Sequence, residues 1–364
     1  MINKNILRGI YPICPDSIQS DLTYLEKVEE VIASGINIIQ FRSKYLSGRK
    51  KRFLLKSIHR LCMNFNVYLI INDDYSKDRT IELIDGWLSQ NLSLFHTVVK
   101  LYNKNNLGTC TSLINMLSHV DTAYLKLTAC DDVYSFENIF ECMILEDEIS
   151  ILSGYPLALV DSELSVNKKD IYNIVASDIL YGNRPLIDRF KFLSNNNAPN
   201  IIYNSKYLTD ERVLNFLKSF DVIEDWPIQT AIAENFPSTK FKQVDKIFVY
   251  YRRTLGSVYL VANNRFYKDK SKVYGYLIDN ENSFLMKTLL KSRFMCFKFG
   301  NAYLNKALNL GFYVYFSMFI FNVFNIVKKN KSIDLNFINH DMHYRLIKER
   351  SNMYLSTTII KDFV

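Results

Sequence analysis

Apolar and polar positions along the first 160 residues switch between two periods. Ile10–Cys14, Ile36–Phe41, Val67–Ile71, Thr97–Leu101 and Tyr124–Leu127 are short, mostly apolar runs, the pattern of strands covered on both faces. Between them, Leu22–Ala33, Lys51–Asn64, Arg79–Leu88, Thr109–Leu117 and Phe136–Leu145 repeat apolar residues at helical spacing. Strand and helix in alternation predict an α/β fold, a mostly parallel open sheet with flanking helices.

Past residue 160 the alternation fades. Ser194 to Asn197 marks a loop, Ile201–Tyr203 and Ile247–Tyr251 read as strands, and Ile228–Glu234 reads as a helix. Segments 181–200 and 261–285 read as loops of the kind that select substrates. The last third predicts a helical region. Residues 283–327 are apolar and aromatic with interspersed lysines, and Gly311–Val327 is the most hydrophobic stretch, closed by Lys328, Lys329 and Lys331. That stretch is shorter than the ~20 residues a membrane span needs. Three readings stay open for it: a core helix, a helix lying in a membrane interface, and a true span. His340 and His343 read as a solvated helix face, with a metal or acceptor contact as the alternative.

Composition narrows the class. With 364 residues, 48% of them apolar, the chain is long enough for one large α/β domain with appendages, or for two domains. The net charge of +8 fits attraction to phosphate, on a nucleotide diphosphate or an anionic membrane surface. The basic residues are scattered and carry no nucleic-acid motif, so nucleic acid is not expected as a partner. Six cysteines without a CxxC pair read as buried thiols in a reducing, cytoplasmic setting. The segment Met1–Cys14 lacks the features of a secretory signal.

Three acidic pairs stand out. Asp73-Asp74 and Asp131-Asp132 each follow a predicted strand directly, and in open α/β sheets ligands bind at carboxyl strand ends. Two such pairs at one sheet edge repel unless a cation sits between them. Hard oxygen ligands suit Mg²⁺ or Mn²⁺ on a diphosphate. The competing reading is that they are ordinary turn residues. The third pair is Glu224-Asp225.

These pairs fall inside five ordered motifs. Asp73-Asp74-Tyr75-Ser76-Lys77-Asp78-Arg79-Thr80 resembles the DDxSxDxT element of family 2 glycosyltransferases of the GT-A fold. Asn103 to Gly108 resembles their NxxNLG. Tyr124 to Asp132 resembles the strand with the metal-binding DxD, Glu224-Asp225-Trp226 the ED element, and Tyr251 to Ser257 the closing YRxxxxS. The resemblance covers about residues 67–260. It implies a GT-A core, a nucleotide-sugar donor, a saccharide or lipid-linked saccharide acceptor, and Mg²⁺ or Mn²⁺. By residue, it implies donor contacts at Asp73, Asp74, Asn106 and Gly108, a metal at Asp131 with Asp132, and a general base at Asp225 beside Glu224. Arg252 would face phosphate or acceptor, or make a structural ion pair. The implied setting is bacterial surface polysaccharide synthesis in the cytoplasm, at the inner face of the plasma membrane, with peripheral membrane contact through the C-terminal region. Two positions depart from the pattern: Ala129 stands where the first acid of DxD is expected, and Ile114 where an asparagine is common, with Asn115 next to it.

Residues 8–73 follow a different pattern. Gly9-Ile10-Tyr11-Pro12-Ile13, the run Gly35 to Lys44, and Leu69 to Asp73 resemble thiamine phosphate synthase, a TIM-barrel enzyme. There the matching Gln40, Arg42, Lys44, Asn72 and Asp73 would belong to a pyrimidine-diphosphate and Mg²⁺ site. Only three strands match, where a barrel needs eight. The expected organisation is thus 1–66 as a synthase-like segment supplying the first strands, 67–260 as the transferase core, and 261–364 as a helical, basic region. Two alternatives follow: an impaired transferase relative that binds a partner, and a synthase-like enzyme.

Overall fold

The computed structural model describes residues 13–14, 40–41 and 68–360, apart from 93–94, 130–131, 138, 140–141, 143–147, 193–197, 253–263, 300–302 and 304–306. The chain forms two compact units, Met1–Asn106 and Leu107–Val364.

In the first unit, β1 (Ile13–Cys14) pairs in parallel with β2 (Gln40–Phe41). Strand β3 (Tyr68–Asp73) and β4 (Thr97–Tyr102) run parallel, in register from Tyr68 opposite Thr97 to Asp73 opposite Tyr102. The connection between them carries α1 (Thr80–Asn91), the crossover that a parallel pair requires. The expected helices Leu22–Ala33 and Lys51–Asn64 lie outside the described residues, as do Arg42 and Lys44.

The second unit is a six-stranded mixed sheet with flanking helices. It opens with α2 (Thr109–Leu117), β5 (Tyr124–Lys126), β6 (Val133–Tyr134), β7 (Ile149–Val160) and β8 (Glu163–Ser165). Next come α3 (Lys168–Tyr181), α4 (Leu186–Phe192), β9 (Ile201–Asn204), α5 (Ser205–Leu208), α6 (Glu211–Leu217), α7 (Asp225–Asn235) and β10 (Lys240–Arg252). Four helices close the chain: α8 (Asn264–Asp279), α9 (Phe284–Phe299), α10 (Leu310–Ser332) and α11 (Phe337–Ile360). The sheet order is β5-β9-β7-β10-β6, with β8 on β7. The long strands β7 and β10 are parallel, and the other pairs are antiparallel. The α/β architecture with flanking helices and a helical C-terminal region is the one the sequence pattern implies, but the expected mostly parallel sheet is instead mixed, because four of the five strand pairs in this unit are antiparallel. Most of the expected helix Phe136–Leu145 lies outside the described residues.

Strand β7 is buried almost end to end although it contains Gly154 and Pro156. Both fit for local reasons. A side chain at Gly154 would collide with the Phe248 ring on β10. Pro156 falls between the stretches where β7 pairs with β9 (Ile151–Ser153) and with β8 (Ala158–Val160), so one edge makes no demand on its missing N–H.

Three further expectations are corrected. Segment 261–285 is not a loop, because α8 fills most of it. Val273, Tyr274, Leu277 and Ile278 recur at helical spacing and join the core formed by α2, α7 and α9. Helix α10 is longer than the apolar run suggested, and it is not a core helix, since only 11% of its apolar window is buried. It is the one helix among the described residues long and apolar enough to cross a membrane. His340 is not solvated. It is fully buried, with Nδ1 3.0 Å from the Tyr250 hydroxyl and Nε2 3.2 Å from a Glu137 oxygen, and it ties α11 to β10. Cys110, Cys142 and Cys296 are free thiols.

Candidate active site

Strand β3 carries Asp73 and Asp74 to its carboxyl end. Asp73 is buried, and its Oδ2 accepts the Ser76 N–H at 2.9 Å. Between them and that serine, Tyr75 sits at φ +72°, a left-handed turn the short polar loop tolerates. The NxxN segment closes on the same turn. The Asn103 main-chain N–H donates to the Asp73 carbonyl at 2.9 Å, and its side-chain amide donates to Asp74 Oδ1 at 2.9 Å. Asn106 donates to the Asp74 carbonyl at 3.3 Å. Two motifs separate in sequence thus form one polar turn. Asp73 holds its shape, while Asp74 is half-buried.

In the second unit, the loop before α7 is braced from two sides. From α8, the fully buried Asp269 carboxylate accepts three successive main-chain N–H groups, those of Asp221, Val222 and Ile223, at 2.8, 2.7 and 3.2 Å. Arg265 grips the Asp221 carboxylate with two bonds of 2.5 Å. From α2, Cys110 donates its main-chain N–H to the Asp221 carbonyl at 3.0 Å and its thiol to the Ile223 carbonyl at 3.3 Å. Gly108 opens α2 at φ +81°, where a Cβ would collide with the Asp221 carboxylate. The glycine of the NLG motif therefore sits against the loop that delivers Glu224-Asp225.

Helix α7 begins at Asp225, whose Oδ1 accepts the Trp226 N–H at 2.7 Å. Trp226 is buried, donates its indole N–H to the Phe190 carbonyl at 2.8 Å, and meets Tyr274 edge-on. Glu224 spends no side-chain bond on capping the helix. Both acidic residues keep part of their surface open, yet their carboxylates lie deep in protein. Burial pushes both above the usual carboxylate range, and the Asp225 charge pushes Glu224 further. For Asp225 the rise is opposed by the Trp226 N–H and by Lys270. Lys270 is itself held low by burial and Arg293, while the Asp225 charge works the other way. The arrangement is a pair of acids of raised proton affinity beside a desolvated ammonium. A raised carboxylate of this kind is poised for proton transfer near neutrality.

Asp131 lies outside the described residues. Asp132 accepts the main-chain N–H of Arg252 at 2.8 Å, so these two predicted residues are joined through the backbone of β10. Nearby, the Lys126 ammonium is buried and donates to the Pro199 carbonyl. Burial brings it down to about 7, with the Asp132 charge opposing. Among the described residues, no three acidic, histidine or cysteine side chains gather as a metal cluster. The sequence reading missed Asp269, Arg265 and Lys270. The signal available was the helical spacing of the apolar residues of α8, which places Asp269 on the buried face.

The sequence profile of thiamine monophosphate synthase matches residues 10–84, in line with the resemblance of the N-terminal segment. Among solved structures, TarS from S. aureus overlays with a TM-score of 0.45 at 13% identity, over 82% of this chain and 45% of that one. The chain thus spans less than half of that TarS chain. TarS 1–349 in complex with UDP-GlcNAc gives 0.46 at 13%, over 81% and 74%. A mannosyltransferase from Pyrobaculum calidifontis in complex with GDP-Man and Mn²⁺ gives 0.42 at 12%, over 98% and 91%.

Proposed function

We propose that the chain is an inverting glycosyltransferase that moves a sugar from a nucleotide-sugar donor to a hydroxyl acceptor. The observation that supports it most is the Glu224-Asp225 pair, buried enough to hold a proton near neutral pH and mounted on a loop tied down by Asp269, Arg265 and Cys110. The motif order Asp73-Asp74, Asn106-Leu107-Gly108, Asp131-Asp132, Glu224-Asp225 and Tyr251-Arg252 supports the same reading.

In this reading Asp225 takes the proton of the acceptor hydroxyl. The hydroxyl oxygen forms a bond to the anomeric carbon as the bond from that carbon to the diphosphate breaks, and the electron pair leaves with the diphosphate. The transition state is oxocarbenium-like, and a fixed base on the face opposite the leaving group favours inversion. Glu224 shares the proton of the pair and sets when Asp225 is free to accept one. Asp74, fixed by Asn103, contacts the donor nucleobase, with Asp73 and Asn106 shaping that turn and Gly108 shaping the loop at Asp221. Arg252 contributes its main chain to Asp132.

Mg²⁺ or Mn²⁺ belongs to the reading through the resemblance, and when bound it would offset charge on the leaving diphosphate. The donor set fits only in part, since the described carboxylate, Asp132, already accepts a main-chain N–H and Ala129 replaces an acid. The steps above accordingly use the chain's own groups alone. The acceptor proposed is a saccharide or lipid-linked saccharide, in bacterial surface polysaccharide synthesis at the cytoplasmic face of the plasma membrane.

The test is transfer and donor hydrolysis with UDP-, GDP- and dTDP-sugars. With an active donor, Asp225→Asn lowers kcat about 10²–10⁴-fold and leaves donor affinity within a few-fold. Unchanged kcat removes the base assignment. Nucleotide binding without turnover for the native chain favours the second reading, an impaired relative, for which Ala129 is the specific observation.

A further inference from the structure

We propose that one face of α10 docks on an anionic lipid surface, with the helix lying flat in the interface. The helix is more apolar than a surface helix needs to be, and its outer face is not covered by the described residues. Phe321 and Phe324 are 87% and 88% exposed, with Tyr313 and Ile320 about half exposed. At 100° per residue, Tyr313, Ile320, Phe321 and Phe324 fall on one arc of about 100°. Lys328 and Lys331, both exposed, continue the same arc after the last phenylalanine. The stripe is thus mostly apolar over three turns, interrupted by the exposed Ser317, and basic at its end. Exposed apolar surface of this extent marks an interaction site.

The opposite side of the helix rules out a simple span. Ile326 is fully buried, Phe319 packs on Tyr172 of α3, and Lys329 pairs with Asp245 at the edge of the sheet. A helix fixed along one side to a water-soluble body can enter a bilayer only with its other side, to the depth of the headgroup and acyl boundary. The charge pattern decides between a lipid surface and a second copy of the chain. Pairing two such faces would draw Lys328 and Lys331 into the same dry seam as the phenylalanines. At an anionic bilayer the rings reach the acyl boundary while the lysines extend to the phosphates. Lys168 and Lys169 at the start of α3 line an open groove with Asn330 of α10, adding positive charge at the same end.

The experiment is flotation of the full chain with phosphatidylcholine vesicles, with and without phosphatidylglycerol, in the absence of donor and acceptor. The native chain floats with the anionic vesicles and is released by salt. Phe321→Ser/Phe324→Ser loses affinity about tenfold or more. Lys328→Gln/Lys331→Gln loses about fivefold per lysine and most of its dependence on phosphatidylglycerol. Tryptophan emission of Phe324→Trp shifts to the blue on vesicles, which reports immersion of this face itself. The proposal is overturned if the native chain stays unbound, or if the double phenylalanine variant floats equally. It is also overturned if the chain elutes as a dimer that this variant makes monomeric, without vesicle binding. None of these readouts uses transfer activity, so each reading can fail without the other.

Discussion

Helices α7 and α10 invert the usual relation between composition and burial. Helix α7 carries glutamine and threonine among its residues, yet every position from Trp226 to Ala233 is buried. Helix α10 is the one helix among the described residues long and apolar enough to cross a membrane, yet Ile326 is its one buried residue. Apolar area favours burial at roughly 25 cal/mol per Å² wherever something is there to cover it. For α7 the cover comes from α4, α6, α8 and the sheet, and that burial raises the acids at its first turn. For α10, nothing among the described residues covers the outer face. On the proposed readings, one helix brings polar groups in for chemistry and the other keeps apolar groups out for a partner.

The comparison breaks most sharply through stability. Ile232→Ala in α7 should cost about 2–5 kcal/mol in urea unfolding, because a fully buried side chain leaves a cavity. A cost below 1 kcal/mol would mean that α7 is not the core helix it is taken for. Asp269→Ala should follow at about 2–4 kcal/mol, since it strands three N–H groups of the loop at Asp221–Ile223. It should also lower transfer activity at temperatures where the variant is folded, as the loop that aims Asp225 loses its brace. A variant that unfolds more easily but keeps native kcat would make Asp269 purely structural.

The contrast also shows what was legible in advance. The short apolar runs gave most strands to within a few residues, and Thr109–Leu117 was placed to the residue, because two-sided burial leaves little room for polar positions. Strand β7 stayed hidden because Gly154 and Pro156 look like turn residues until the Phe248 ring and the neighbouring strands are known. Helix α8 was mistaken for a loop since its exposed side is lysine-rich. The acids at 73–74 and 224–225 were legible as motifs. Their environments were not, because burial and three-way N–H capture by Asp269 depend on residues about 45 positions away.

Glu224→Gln tests the electrostatic half of the comparison, with a smaller effect. Both acids of the pair hold protons more tightly folded than unfolded, because burial penalises their charged forms. Between the ordinary carboxylate value and the raised folded value, the folded chain binds more protons than the unfolded one. Stability therefore falls as pH rises through that window and is recovered on acidification. Glutamine removes the penalty at position 224. Its Tm should exceed the native value at about pH 8, and the difference should shrink toward about pH 5. An amide variant less stable than the native chain at the higher pH would place Glu224 in an ion pair instead.

The smallest effect belongs to α10 and is informative for that reason. In lipid-free buffer, Phe321→Ser/Phe324→Ser should change unfolding free energy by no more than about 0.5 kcal/mol. Two large aromatic side chains are removed, and in α7 a similar change would be ruinous. The difference is that both rings are already in water in the folded chain, so unfolding exposes almost nothing more of them. The same reasoning predicts the response to vesicles. Anionic lipid should raise the Tm of the native chain, since binding to the folded state alone stabilises it by mass action, and should leave the serine variant where it was. A serine variant destabilised in buffer would show that these rings pack on the chain itself, and the exposed face of α10 would then be part of the core after all.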